Sequence, residues 1–291
     1  MLLQEKMKNL KFSPSERVVI DFILDKQELI QDYSTIEIAK ETYTSPSILV
    51  RISKKLGFNG YNDMKREFVK EVIYLKTNFQ VLDANTPFFQ HDSIMSVASK
   101  ILQLKQESLK DTFSLINYDS LQKAINIIKK SESVKVFAVS NLTFQAEEFV
   151  HKLRHIGKKA ETYSISNTMY QEAVMTSCYD CAVCISYSGE SGDLLDVVEY
   201  LKRNNVSIIS ITSIGENTLS KLSDVTLHIT TREKSYSKIS GFSSLESIAL
   251  ILDILYSCYF KTDYDKHYEY KIKLSKITEL RKINNHIICE E

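Results

Sequence analysis

No apolar run in this chain approaches the ~20 residues that a membrane-spanning helix needs, so no transmembrane segment and no membrane partner are expected. The first residues, Met1-Leu2-Leu3-Gln4-Glu5-Lys6, lack the long apolar stretch of a secretory signal, and a cytoplasmic location is expected. Cysteine is sparse and odd in number (Cys178, Cys181, Cys184, Cys258 and Cys289), which argues against a disulfide framework. The spacing Cys178-x-x-Cys181-x-x-Cys184 has the form of a metal motif. However, Cys181-Ala182-Val183-Cys184-Ile185-Ser186 reads as a buried strand, in which side chains three apart face opposite ways. No second cysteine pair or nearby histidine completes a ligand set, so no metal is expected, and no motif asks for a cofactor. Net charge is zero, from 37 bases and 37 acids, which excludes a chain that is a polycation throughout. What remains is ordinary for a folded protein: 43% hydrophobic and 25% charged residues, enough for one large or two modest domains.

Only three prolines and seven glycines occur in 291 residues, so each one marks a boundary. Ser13-Pro14-Ser15-Glu16 opens a helix with a cap, a proline in the first turn and a capping box, and Val18, Val19, Phe22 and Ile23 follow at helical spacing. A second helix starts at Ser34 or Thr35, with Ile36, Ile38 and Ala39 turned inward, and Thr42-Tyr43-Thr44 breaks it. Ser45-Pro46 starts a third helix through Ile48, Leu49, Ile52 and Leu56 to Gly57, and a fourth runs from Asn62 to about Lys76. Between Ser45 and Lys70 stand six bases (Arg51, Lys54, Lys55, Lys65, Arg66 and Lys70) against two acids, Asp63 and Glu67. A short helix, a tight turn and a helix with basic residues make the helix-turn-helix plan. Its DNA-reading candidates are Thr35, Ser45, Ser47, Ile48, Arg51, Lys54 and Lys55, where Ile48 either reads a thymine methyl or packs.

Residues 77 to about 90 lose the periodicity and read as a linker, followed by helices at about 92–113 and 119–130. From 134 onward strands alternate with helices: strands at 134–139, 160–165, 180–186, 206–211 and 225–229, and a helix from Asp193 to Asn204. Near-continuous apolar strands in this alternation predict a parallel sheet covered on both faces, with ligands at the carboxyl ends of the strands. The expected division is a helical DNA-binding domain at 1–77, a linker and connecting helix at 78–117, an α/β three-layer sandwich at 118–262 and a helical tail at 263–291. The helix Leu245–Tyr259 is apolar around much of its circumference, so it is buried in the core, in a subunit interface or in both.

The strand at 180–186 empties into Ser186-Tyr187-Ser188-Gly189-Glu190-Ser191-Gly192. Three hydroxyls, two glycines and a helix N-terminus make an anion cradle that suits a monoester phosphate. The pattern GxxxxGK[ST] is absent, which excludes a nucleotide P-loop. The alternative is a serine-rich turn with Asp193 as a helix cap.

Ile185-Ser186-Tyr187-Ser188-Gly189-Glu190-Ser191, preceded by Asp180 and followed by Ile209-Ser210-Ile211-Thr212-Ser213, resembles the signature of sugar isomerase (SIS) domains, which bind phosphosugars on a five-stranded parallel sandwich. Ser13-Pro14-Ser15-Glu16, Ile38-Ala39 and Arg51-Ile52-Ser53-Lys54-Lys55-Leu56-Gly57-Phe58-Asn59-Gly60-Tyr61 resemble the RpiR-type helix-turn-helix. The two occur in this order in RpiR/MurR-like transcriptional regulators. The resemblance implies that Ser186, Ser188 and Ser191 hold a sugar phosphate, with Ser140 and Asn141 closing the pocket and Glu190 and Glu246 among the ligand contacts. It implies a double-stranded DNA operator, a phosphosugar effector and a homodimer or tetramer. The chain departs from the pattern at Ala138-Val139-Ser140-Asn141-Leu142, which has no glycine, and at Tyr43, where the turn commonly has one. The alternative activity is a phosphosugar isomerase or lyase, with Glu190, Glu246 and His151 as acid–base candidates. No pair of these is fixed by spacing, so binding without catalysis is the expectation.

Overall fold

In the computed structural model the structure describes residues 2–78, 82–163, 166–278 and 287. The described residues fall into two compact units. One holds the chain up to Asp111 together with Ile214–Asn217 and Thr230–Ser243; the other holds Thr112–Ser213, Thr218–Ile229 and the chain from Ser244.

The first unit begins with helices α1 (Leu3–Asn9), α2 (Pro14–Lys26), α3 (Thr35–Glu41), α4 (Pro46–Lys55) and α5 (Tyr61–Asn78), with a 3-10 turn at Gln27–Asp32. The expected capping box is formed: Ser13 N–H donates to Glu16 Oε2 at 2.8 Å, and Glu16 N–H donates to Ser13 Oγ. Ser34, not Thr35, caps α3 in the same reciprocal way with Glu37. Val19, Ile20, Ile23, Ile38, Leu49, Ile52, Met64 and Phe68 close the core. Ile36 is a correction to the sequence reading: it is 70% exposed. Two residues along a helix turn by ~200°, so Ile36 faces away from the side that Ile38 buries. Val18, beside the buried Val19, is likewise exposed.

Residues 82–93 carry no helix or strand, yet they are held in place. Asn85 Oδ1 accepts from Lys234 N–H at 2.7 Å, Asn85 O accepts from Ile239 N–H at 2.9 Å, and Ala84 is buried. Helix α6 (Ile94–Ser114) adds a polar seam, where Glu107 pairs with the buried Arg232 at 2.9 Å and Ser108 hydrogen bonds Ser243 at 2.6 Å. These bonds explain why residues 230–243, which follow the last strand, cluster with the N-terminal part of the chain.

The second unit is a five-stranded, all-parallel sheet of β1 (Ser133–Ala138), β2 (Lys159–Tyr163), β3 (Cys181–Ile185), β4 (Ser207–Ser213) and β5 (Val225–Ile229), in the order β2-β1-β3-β4-β5. Helices α7 (Tyr118–Lys130), α8 (Thr143–Arg154) and α12 (Phe242–Lys261) contribute Ile128, Phe149 and Leu252 to the core beneath Val136, Val183 and Ile209. Helices α9 (Ser166–Met175), α10 (Gly192–Arg203) and α11 (Thr218–Leu222) cover the other face, on Phe137, Cys184 and Ile208. Cys181 and Cys184 lie in opposite cores, as the strand reading requires, so they cannot converge on one ion; Cys289 lies outside the described residues. The apolar α12 has the length and composition of a membrane span, but Ile248, Ile251, Leu252 and Leu255 are buried against the sheet. The tail forms α13 (Tyr264–Thr278).

Glu16 is 4% exposed and accepts from two residues of α4, Arg51 at 3.2 Å and Lys55 at 3.2 Å. The Ser13 backbone N–H and the Lys55 ammonium keep its carboxyl below the ordinary carboxylate range, against the opposing effect of burial. Its stabilising contribution is therefore present above about pH 4.3 and is lost as pH falls through the lower folded value. Glu16→Gln should destabilise the helical unit by about 1–2 kcal/mol at neutral pH, less than a fully buried pair because both cations are solvated. Urea unfolding followed by circular dichroism should show that loss shrinking as pH is lowered through the carboxylate range.

Candidate functional site

The pairing of β3 with both neighbours fixes the site. Ile185 stands opposite Ala138 of β1 and Ile211 of β4, so the turns after these three strands leave the sheet side by side. The ladder runs one step further: Ser186 N–H donates to Ile211 O, and Ser213 N–H donates to Tyr187 O. Gly189 then takes φ +69°, a left-handed conformation that glycine adopts without strain.

Ser186 is buried, and its hydroxyl accepts from Gly189 N–H at 3.1 Å and hydrogen bonds the Ser191 hydroxyl at 3.1 Å. Ser191 is the N-cap residue of α10 but its side chain does not cap the helix, so the hydroxyl pair stands at an N-terminus with partial positive charge. Ser188 is exposed, and its hydroxyl accepts from Glu190 N–H at 3.2 Å. The missing Cβ of Gly192 faces open space. The three serines are thus gathered within one turn, with donors that suit a compact anion.

Beside it, Ser140–Leu142 forms a short 3-10 turn after β1. Ser140 has φ +59°, and Thr143 Oγ1 donates to its carbonyl at 2.8 Å. The glycine-free turn therefore keeps a left-handed backbone, and it exposes Ser140 and Asn141. Glu190 has a different occupation from the ligand contact expected of it. Its Oε1 accepts from Thr218 N–H at 2.9 Å and its Oε2 from Thr218 Oγ1 at 2.8 Å, which ties the turn to the start of α11. These two bonds hold its carboxyl below the ordinary range. Thr218 escaped the sequence reading because a partner 28 residues away leaves no local signal. Glu246 is half-buried in the second turn of α12. His151 lies elsewhere, in a cleft of about 720 Å³ with Arg154, His155 and Tyr270, its ring 3.9 Å from that of His155.

In the helical unit, Ser45, Ser47, Arg51, Lys54 and Lys55 are exposed on α4 or at its start, and Thr35 is half-buried at the start of α3. The hydroxyls of Ser45 and Ser47 hydrogen bond at 2.8 Å. Ile48 is corrected: at 8% exposure it packs with Leu49 and Ile52, one turn from Ile52 on the inward face, and is removed from the reading set.

The model of the rpiR-family helix-turn-helix domain matches residues 1–73, and that of the SIS domain matches residues 127–257. An uncharacterized HTH-type transcriptional regulator of Clostridium perfringens is 30% identical over 275 residues, covering 94% of this chain and 97% of that one. Another, from Caldanaerobacter subterraneus subsp. tengcongensis, is 24% identical over 274 residues, covering 94% and 95%. Among solved structures, the Vibrio vulnificus NanR protein complexed with ManNAc-6P has the same fold, with a TM-score of 0.59 at 22% identity over 94% of this chain and 97% of that one. The sugar isomerase domain of an RpiR transcription factor from Sphaerobacter thermophilus matches with a TM-score of 0.56 at 13% identity, over 62% of this chain and 98% of that one.

Glu190→Ala removes both acceptors from Thr218. Because the carboxylate is exposed and water screens it, the expected loss is at the low end for charged hydrogen bonds, about 1 kcal/mol. Chemical denaturation of the variant against wild type measures it, and Thr218→Val, which keeps the backbone donor and loses only the hydroxyl, should show a smaller part of the same loss.

Proposed function

The chain belongs to the rpiR family of helix-turn-helix transcriptional regulators carrying a SIS domain, and we propose that a phosphorylated sugar held at the Ser186–Ser191 turn sets its affinity for DNA. The observation that carries this reading is the hydroxyl pair of Ser186 and Ser191 at the uncapped start of α10, beside the left-handed Ser140 turn. Hydroxyl donors and a helix N-terminus favour a phosphoryl group. The NanR protein of the same fold, complexed with ManNAc-6P, supports the choice of ligand class.

A sensor fits the site better than an isomerase. Proton transfer between sugar carbons needs a free acid–base group over the substrate. Glu190 is engaged with Thr218, His151 lies in the separate α8 cleft, and the half-buried Glu246 of α12 has an interaction of its own. Modulation of DNA binding needs no turnover, only unequal ligand affinity for two states of the protein. The DNA reader in this proposal is α4, with Ser45, Ser47, Arg51, Lys54 and Lys55 facing the major groove and the start of α3 at the backbone. Paired half-sites make a homodimer the working form, in the cytoplasm where the DNA is.

Two experiments test the two halves. A thermal-shift screen of phosphosugars should find at least one that raises the melting temperature, and Ser188→Ala or Ser191→Ala should reduce that rise while leaving ligand-free DNA binding intact. No shift with any phosphosugar would overturn the ligand class. Arg51→Ala with Lys55→Ala should weaken binding to duplex DNA about tenfold or more and flatten its salt dependence, measured by fluorescence anisotropy across a salt series. Wild-type binding by that double variant would show α4 to be the wrong helix.

A further inference from the structure

The turn between α3 and α4 carries Tyr43. It closes α3 with a Schellman pattern: Thr44 N–H donates to Ala39 O at 2.8 Å and Tyr43 N–H donates to Lys40 O at 3.3 Å. That pattern needs a left-handed residue at Tyr43, and its φ is +51°. Asparagine or glycine takes this conformation readily, whereas a bulky aromatic residue takes it at a cost. The other described non-glycine residues with positive φ are Gln27, Ser140 and Asn205, none of them aromatic.

The Schellman bonds hold the backbone there, but they would form as well with glycine and do not account for an aromatic side chain. The Tyr43 side chain is 97% exposed and its hydroxyl has no hydrogen-bond partner among the described residues. An aromatic ring held fully in water at a strained position points to a contact outside the chain. Its location selects the contact: Tyr43 stands two residues before Ser45 and the start of α4, where a reading helix enters the groove and the flanking backbone passes. Tyrosine hydroxyls are regular donors to phosphate oxygens at such places. The nearby cations Arg51 and Lys55 are both drawn to Glu16, so a neutral donor on the turn adds grip that the ion pairs do not supply.

We infer that Tyr43 contacts the DNA backbone beside the groove that α4 enters, its hydroxyl donating to a phosphate oxygen. The inference rests on α4 being the reading helix, and the test separates the two. The probe is a random-sequence duplex long enough for two half-sites, and the full chain is assayed by anisotropy at low salt. Tyr43→Gly, which suits the left-handed backbone, should hold or raise the melting temperature while weakening binding about threefold to tenfold, the range of one hydrogen bond. Tyr43→Phe should lose most of the same affinity. Should the glycine variant unfold, Tyr43→Asn replaces it, since asparagine tolerates this conformation. Wild-type affinity in the glycine or asparagine variant, with Arg51→Ala/Lys55→Ala weakened in the same assay, overturns the Tyr43 contact alone; wild-type affinity in Phe overturns the hydroxyl donation. If the Arg51/Lys55 variant also binds as wild type, it is the choice of α4 that fails.

Discussion

The α/β half depends on the pairing of Ile185 with Ala138 on one side and Ile211 on the other. A parallel ladder allows no slip once both faces are buried, because a one-residue shift would exchange the Val183 face for the Cys184 face and bury the wrong set against each helix layer. Register therefore does more than hold the sheet together. It sets the height at which three strands end, and so brings the Ser140 turn, the Ser186–Ser191 turn and the Ser213 end of β4 to one edge. Turns separated by dozens of residues become neighbours through the backbone hydrogen bonds of the ladder.

In the helical half the corresponding constraint is one carboxylate. Glu16 closes the capping box of α2 and accepts from Arg51 and Lys55 on α4, so the start of one helix sets the orientation of another. The arrangement has a consequence for DNA binding. Two of the cations that face outward are already partly neutralised from within, and in the proposed DNA contact a phosphate would have to compete with Glu16 for them. On that proposal, affinity depends on groups that carry no charge, such as the serines at the start of α4, as much as on the basic count of the segment.

Much of this was legible in the sequence, and the reasons differ by element. The five strands were found within two residues at their ends, most plainly β3, whose Cys181–Ile185 run is apolar and buried throughout, and least plainly the edge strand β2, where Lys159 and Glu161 interrupt the apolar signal. Ser13, Pro14 and Glu16 announced α2 because capping chemistry is local. Ile36 and Ile48 were misjudged for opposite reasons. In a seven-residue helix one apolar residue too many cannot reach the core, and on α4 the inward face is wider than the Leu49–Ile52 stripe suggested. Helix α1 passed unnoticed, and α9 and α11 were expected only as unbounded helices between strands, since α1 and α11 are only seven and five residues long and the 166–175 stretch has no strong stripe. The Glu190–Thr218 clamp and the attachment of residues 82–93 to 230–243 were invisible, because both join groups far apart in sequence.

Two turns of this chain are left-handed without glycine. At Ser140 and at Tyr43 the backbone keeps the left-handed conformation although the residue that tolerates it best is missing. The cost of a non-glycine residue there is about 1–2 kcal/mol, small beside the 5–15 kcal/mol by which domains are typically stable. The surrounding hydrogen bonds decide the conformation: Thr143 fixes the carbonyl of Ser140, and the Schellman pair fixes Tyr43. A missing glycine therefore does not imply a missing turn, and the cradle beside Ser140 keeps its shape. What the residue type changes is the surface: it places a hydroxyl on the turn after β1 and an aromatic ring on the turn before α4, the rims of the two proposed sites, while the frame beneath them stays the same.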